Sequence, residues 1–140
     1  ITIGGSYTRL DAEFTSNAVS GNLALPYDGN VLPRSPESQF TLYADGQWDA
    51  FGGVLAARAD YQWTDDFYFD PSNAPEVLVP SYGLVSAFAS WESPNGLKFS
   101  VYGKNLGDEA YRQHIIKNAN IGFSVFGAPR SFGVAVTKTF

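Results

Sequence analysis

The chain has 140 residues, with 9 Lys and Arg against 14 Asp and Glu, a net charge of −5 and no cysteine. That length suits one domain. The acidic balance leaves no basic stripe to meet phosphates, so a nucleic-acid partner is not expected, and the lack of thiols removes disulfide frameworks and thiolate metal sites.

Read from its start, the chain shows six segments that alternate with a period of two, and no helix. The first covers residues 1–13, with Ile1, Ile3, Gly5 and Tyr7 on one face. It opens straight into a strand pattern, so a secretory signal is expected to be absent or already removed. Residues 15–38 form a long polar connection. The second segment, 39–48, sets Phe40, Leu42, Ala44 and Trp48 against Gln39, Thr41, Tyr43, Asp45 and Gln47. A short turn over 49–52 leads to the third, 53–64, where Leu55, Ala57, Ala59, Tyr61 and Trp63 oppose Ala56, Arg58, Asp60, Gln62 and Thr64. A long connection, 65–80, precedes the fourth, 82–92, with Val85, Ala87, Ala89 and Trp91 against Leu84, Ser86, Phe88 and Ser90. Ser93-Pro94-Asn95-Gly96 is a tight turn by composition. The fifth, 97–105, places Phe99 and Val101 opposite Ser100, Tyr102 and Lys104. Residues 106–130 are again a long connection. The last segment, 131–140, carries Phe132, Val134, Val136 and Phe140 on one side.

The connections thus run long, short, long, short, long. In an up-and-down antiparallel sheet this gathers the long ones at one end, the asymmetry of outer-membrane barrels. Phe132 to Phe140 spans about 26 Å at roughly 3.3 Å per residue. Tilted by about 40°, it covers about 20 Å of a roughly 25 Å apolar band. Trp48, Trp91, Phe99 and Phe140 fall at short-turn ends on the apolar face, and Tyr61, Trp63 and Phe132 at long-loop ends. Two aromatic rows separated by Ala, Val and Leu match the girdles of a membrane barrel. The opposite face, with Asp45, Arg58, Asp60, Gln62 and Lys104, suits a wet lumen and would be costly in a dry core. No stretch of eighteen apolar residues marks a membrane helix, but alternation hides a membrane strand from that test. The expected fold class is therefore all-β: an antiparallel up-and-down meander of about six strands, part of a larger transmembrane β-barrel.

Four blocks in order carry a family resemblance. They are Asn30-Val31-Leu32-Pro33-Arg34-Ser35-Pro36-Glu37, Tyr82-Gly83-Leu84-Val85-Ser86-Ala87, Tyr102-Gly103-Lys104-Asn105-Leu106-Gly107-Asp108-Glu109-Ala110-Tyr111-Arg112 and Gly127-Ala128-Pro129-Arg130-Ser131-Phe132-Gly133-Val134. Over nearly its whole length the chain resembles the C-terminal end of TonB-dependent outer-membrane receptors. Lys138 departs from the pattern, since the third residue from the end is usually aromatic or apolar. Near the rim it can snorkel, and it weakens the assembly signal at Phe140 more than the resemblance. By that resemblance, residues 1–140 are the C-terminal portion of a receptor barrel for active uptake of a scarce nutrient such as a ferric siderophore. The implied location is the bacterial outer membrane, and no enzyme activity is implied. The implied partners are TonB (through a TonB box), the plug domain of the parent protein, outer-membrane lipid, the barrel-assembly machinery and a small nutrient ligand. Such a barrel has about 22 strands, and known bacterial ones start at about 8. The isolated segment, with two bare edges and a lipid face, is expected to self-associate.

Recognition belongs in the long loops. Tyr68 and Phe69 lie in one, and Tyr111, Arg112, His114, Phe123 and Phe126 lie in the last. Rings beside an arginine grip a planar or anionic ligand such as a ferric chelate or a sugar; equally, they pack loops on one another. Asp45, Asp60 and Arg58 share a face, either for acid–base work or as a solvated wall. His114 lacks metal-binding companions, and Asp65, Asp66, Asp70 and Asn73 lack calcium-loop spacing. Neither a metal nor a cofactor is expected. Two alternatives stand beside the importer: a soluble β-sandwich or barrel that binds carbohydrate, and a glycosidase using Asp45 and Asp60.

Overall fold

The computed structural model describes residues 1–20, 23–118 and 121–140. Its strands are β1 (Thr2–Arg9), β2 (Ala18–Ser20), β3 (Leu23–Leu25), β4 (Ser38–Ala50), β5 (Gly53–Thr64), β6 (Phe67–Tyr68), β7 (Leu78–Val79), β8 (Tyr82–Glu92), β9 (Leu97–Lys104), β10 (Arg112–Asn118), β11 (Ile121–Phe126) and β12 (Ser131–Lys138), with a 3-10 turn at Pro75–Val77. Six of them form one antiparallel sheet in the order β1-β4-β5-β8-β9-β12, the expected meander.

Three boundaries differ from the sequence reading by two residues or more. β1 ends at Arg9, not residue 13, because the amides of Phe14 and Leu32 bond to the carbonyls of Asn30 and Ala12 and draw the chain into the first loop. β4 runs on to Ala50, leaving only Phe51-Gly52 as the turn. β12 stops at Lys138, where the Thr139 amide bonds to the Gly96 carbonyl and Phe140 stands fully exposed. The long connections, read as loops, also hold three two-stranded ribbons: β2-β3, β6-β7 and β10-β11. Most of these strands are too short to show a period.

Register brings the alternation of every strand into phase. One face carries the rows Tyr7–Phe40–Trp63–Gly83, Ile3–Ala44–Ala59–Ala87–Gly103–Phe132 and Trp48–Leu55–Trp91–Phe99–Val136. The other carries Thr2–Asp45–Arg58–Phe88–Tyr102–Gly133. A slip of one residue in any pair would send apolar side chains to the polar face.

Among the described residues no second sheet packs on either face. Trp48 is 41% exposed, and Trp63 and Trp91 are covered sideways by Phe40 at 5.4 Å and Phe99 at 6.3 Å on the same face. The buried apolar cluster lies instead under the loops, at Phe69, Val77 and Val79. This arrangement overturns the β-sandwich alternative, which needs two apolar faces pressed together.

Rings also pin the register. Tyr61 of β5 lies against Gly83 of β8, and on the other face Tyr102 of β9 lies against Gly133 of β12, so near that any Cβ there would collide. Such ring-over-glycine pairs fill the gap a glycine leaves in a sheet. Gly83→Val is expected to lower stability by about 1–3 kcal/mol, read as earlier heat modification of the full-length protein on a gel. Adding Tyr61→Ala should recover part of the loss.

Candidate functional site

The long connections meet at one end of the sheet. The 65–80 loop is closed by the β6-β7 pair, Phe67 opposite Val79 and Tyr68 opposite Leu78. Its tip is shaped by Asp70, whose carboxylate accepts from the Ser72 amide at 2.7 Å, and by Asn73 at φ 50°, a conformation asparagine tolerates better than most residues. Asn73 also ties in the first loop: its Oδ1 accepts from the Val31 amide at 2.7 Å and its Nδ2 donates to the Val31 carbonyl at 3.0 Å. The Arg34 amide donates to the Tyr68 carbonyl at 2.8 Å. From the last loop, Ile115 packs on the Phe69–Val77–Val79 cluster.

Two arginines flank that cluster. The Arg34 guanidinium lies 4.3 Å over the Phe69 ring, with Nη2 3.4 Å from His114 Nδ1, and the His114 ring meets Phe69 edge-on at 4.9 Å. Arg112 Nη1 donates to the Leu78 carbonyl at 3.3 Å, and the adjacent Tyr111 stacks on Tyr82 at 4.7 Å. Neither Arg34 nor Arg112 forms an ion pair among the described residues.

Of the six residues expected to bind ligand, the structure gathers Tyr111, Arg112 and Phe126 round a cleft of about 340 Å³, with Tyr82, Leu78 and Glu109. His114 sits with Arg34 and Phe69. Tyr68 lines a separate, acidic cleft beside Glu37, Asp65 and Asp66. Phe123 stands apart, 62% exposed on β11. Sequence reasoning named neither Arg34 as a site residue nor its contact with Phe69. Its position between Pro33 and Pro36 was the available signal, since prolines stiffen a loop.

Asp66 in the acidic cleft has its carboxyl raised above the usual range, chiefly by desolvation, then by the hydrogen bond and charge of Asp65. On the polar face of the sheet, Asp60 and Asp45 both meet Arg58, at 2.7 and 3.5 Å, and the Arg58 guanidinium lies 4.5 Å over Tyr43. The two carboxylates considered for glycosidase chemistry are thus partners of one cation.

The base of the last loop is stapled. Asn105 is 6% exposed at φ 49°. Its Nδ2 donates to the carbonyls of Glu109 at 2.9 Å and Ala128 at 3.0 Å, and its Oδ1 accepts from the Glu109 amide at 2.9 Å. Asp108, at φ 54°, accepts from the Arg130 amide at 3.0 Å and lies 3.8 Å from the Arg130 guanidinium. The sequence block 104–112 and the Pro129-Arg130 step are therefore two halves of one clamp between β9 and β12.

Comparison with known proteins follows the same outline. The family described as "TonB dependent receptor-like, beta-barrel" matches residues 1–106. The chain is 28% identical, over its full length and 18% of the relative's, to the ferrichrome outer membrane transporter/phage receptor of Escherichia coli K12. It is 25% identical to the pesticin receptor of Yersinia pestis, over 94% of the chain and 18% of that protein. Among solved structures, the siderophore receptor PiuA of Acinetobacter baumannii superposes with a TM-score of 0.74 at 25% identity, covering 96% of this chain and 19% of that one. The ferric yersiniabactin uptake receptor FyuA of Yersinia pestis gives 0.72 at 25% identity, covering 81% and 18%. The chain therefore spans less than a fifth of the length of each of these proteins.

Asn105→Ala should cost roughly 1–3 kcal/mol, because it strands buried backbone groups, and should speed proteolysis within the last loop of the full-length protein. Because the folded state binds the Asp66 proton more tightly than the unfolded chain does, the loop cluster should lose stability as pH rises from the ordinary carboxylate range through the raised value. Asp66→Asn should flatten that dependence, measured by hydrogen exchange of the 65–80 loop.

Proposed function

This chain belongs to the TonB-dependent receptor β-barrel family, and from that premise we propose that residues 1–140 form the C-terminal wall and part of the extracellular mouth of an energy-coupled importer. Its place is the bacterial outer membrane. The observation that carries the reading is the single uncovered sheet, with apolar rows in register on one face, polar rows on the other and the long loops at one end. Trp48 and Trp91 mark the inner aromatic row, Tyr61, Trp63 and Phe132 the outer one, and Phe140 the assembly signal. Lys138 supports this placement: its ammonium reaches the Asn95 carbonyl and lies 5.8 Å from the Phe140 ring, so its charge stays at the rim.

The ligand we infer is a small anionic ferric chelate of the siderophore class, met at the mouth by Tyr111, Arg112 and Phe126, with Tyr68, His114 and Phe123 on the surrounding loops. Support comes from two arginines without ion-pair partners among the described residues, set beside rings in an otherwise acidic chain. A guanidinium over an aromatic face is positioned for a planar anion. TonB and the plug domain, supplied by the full-length protein, would drive passage, and the barrel-assembly machinery would insert it. The reading is transport, not catalysis, and the isolated segment would self-associate through its bare edges.

The test is binding and uptake of a panel of ferric siderophores by the full-length receptor in outer membranes. Arg112→Ala or Arg34→Ala should weaken binding about 10-fold or more, the loss of a hydrogen bond to a charged group being roughly 1.5–3 kcal/mol. Saturable sugar binding with no response to any ferric chelate would refute it.

A further inference from the structure

We propose that Gly127 is a positioning residue for the cleft at the loop end, acting through the Tyr111 ring, a role that rests on the reading of that cleft as the ferric-chelate site. Gly127 does not line the cleft, whereas Tyr111, Arg112 and Phe126 do. It follows the last residue of β11, and its amide donates to the Tyr111 carbonyl at 2.9 Å, so the two residues face each other at the open end of the β10-β11 ribbon. A Cβ at residue 127 would overlap Cε1, Cζ and Oη of Tyr111. The backbone does not ask for glycine here: among the described residues the glycines with positive φ are Gly29, Gly52 and Gly96. The volume left by the missing side chain is taken by the ring. Tyr61 over Gly83 and Tyr102 over Gly133 pin strands of the large sheet, but Tyr111 over Gly127 lies outside that sheet and its ring borders the cleft.

What gives way when that volume is filled depends on how each side is held. The backbone at 127 is tied at both ends. Its own amide is bonded to Tyr111, the next carbonyl, of Ala128, accepts from Asn105 Nδ2 at 3.0 Å, and the Arg130 amide donates to Asp108 at 3.0 Å. Pro129 stiffens the step between them. The Tyr111 ring is the far end of a side chain, held by its stack on Tyr82 at 4.7 Å with 19° between the planes. Tyr82 in turn packs on the Phe69–Val77–Val79 cluster, so it is the fixed platform and Tyr111 the movable partner. A methyl group at 127 therefore turns Tyr111 into another rotamer and off its stack. The cleft then loses the wall beside Arg112, although no group that lines it has been replaced.

The experiment uses the full-length receptor in lipid nanodiscs, with 3-fluorotyrosine at position 111 alone. Gly127→Ala should move the fluorine resonance and increase its broadening by a soluble paramagnetic agent, as Tyr82→Ala does. An unchanged resonance would overturn the proposal. In binding of the ferric siderophore that the parent takes up, Gly127→Ala should lower affinity about 2- to 10-fold, the worth of one aromatic contact. In a Tyr111→Ala background the same change should cost nothing further. Full affinity for Gly127→Ala, or an equal loss without the Tyr111 ring, would also overturn it. Should Gly127→Ala fail to reach the membrane, the double variant with Tyr111→Ala, which removes the overlap, should return to the parental level; a double variant equally absent counts against the role. If the parent binds sugar and no ferric chelate, the ligand reading fails, and the same coupling measured with that sugar decides the role of Gly127.

Discussion

Backbone pairing in phase is the constraint on which the rest of this structure depends. A strand facing hydrocarbon has no water to satisfy its amides and carbonyls, so each must find a neighbouring strand. Because the side-chain period is two, those same bonds decide which face each residue takes. From β1 to β12 the registers agree, so that Ile3, Ala44, Ala59 and Ala87 fall in one row and Asp45, Arg58 and Phe88 in another. Ring-over-glycine contacts on both faces lock the alignment. The outer edges of β1 and β12 carry no further strand among the described residues. In a bilayer such edges require partners, which is why a six-stranded sheet of this kind is physically a part of a larger closed wall.

The loop end obeys a different rule. There the backbone leaves the sheet, and its polar groups are satisfied by side chains and short ribbons instead. Asn105, Asp108 and Asn73 adopt left-handed backbone and spend their side chains on nearby main chain. The small apolar cluster of Phe69, Val77 and Val79 exists to hold loops, not to hold the sheet. Arg34 and Arg112 sit on its borders and form no ion pair among the described residues, so rigidity and positive charge are placed together at the loop end.

Much of the sheet was legible from residues alone. Leu55 through Trp63 and Val85 through Trp91 alternate so cleanly that β5 and β8 occupy the residues assigned to them. The carbohydrate-binding sandwich was also consistent with that alternation, and what removed it was the uncovered state of both faces together with the family match. The site was less legible. Tyr111, Arg112 and Phe126 do share a cleft, but Tyr68 belongs to another, and the Arg34–Phe69–His114 contact joins residues 80 positions apart from end to end.

The sequence by itself determined the number of long strands, the faces they present, the end at which the long loops gather and the family resemblance, because all of these are written in local periodicity and in contiguous blocks. Only the tertiary structure decided where β1 turns away, that the loops contain ribbons, that blocks 104–112 and 129–130 close on each other, and which rings lie against which cations. Those outcomes depend on hydrogen bonds and contacts between distant positions, and no local pattern encodes the partner at the other end.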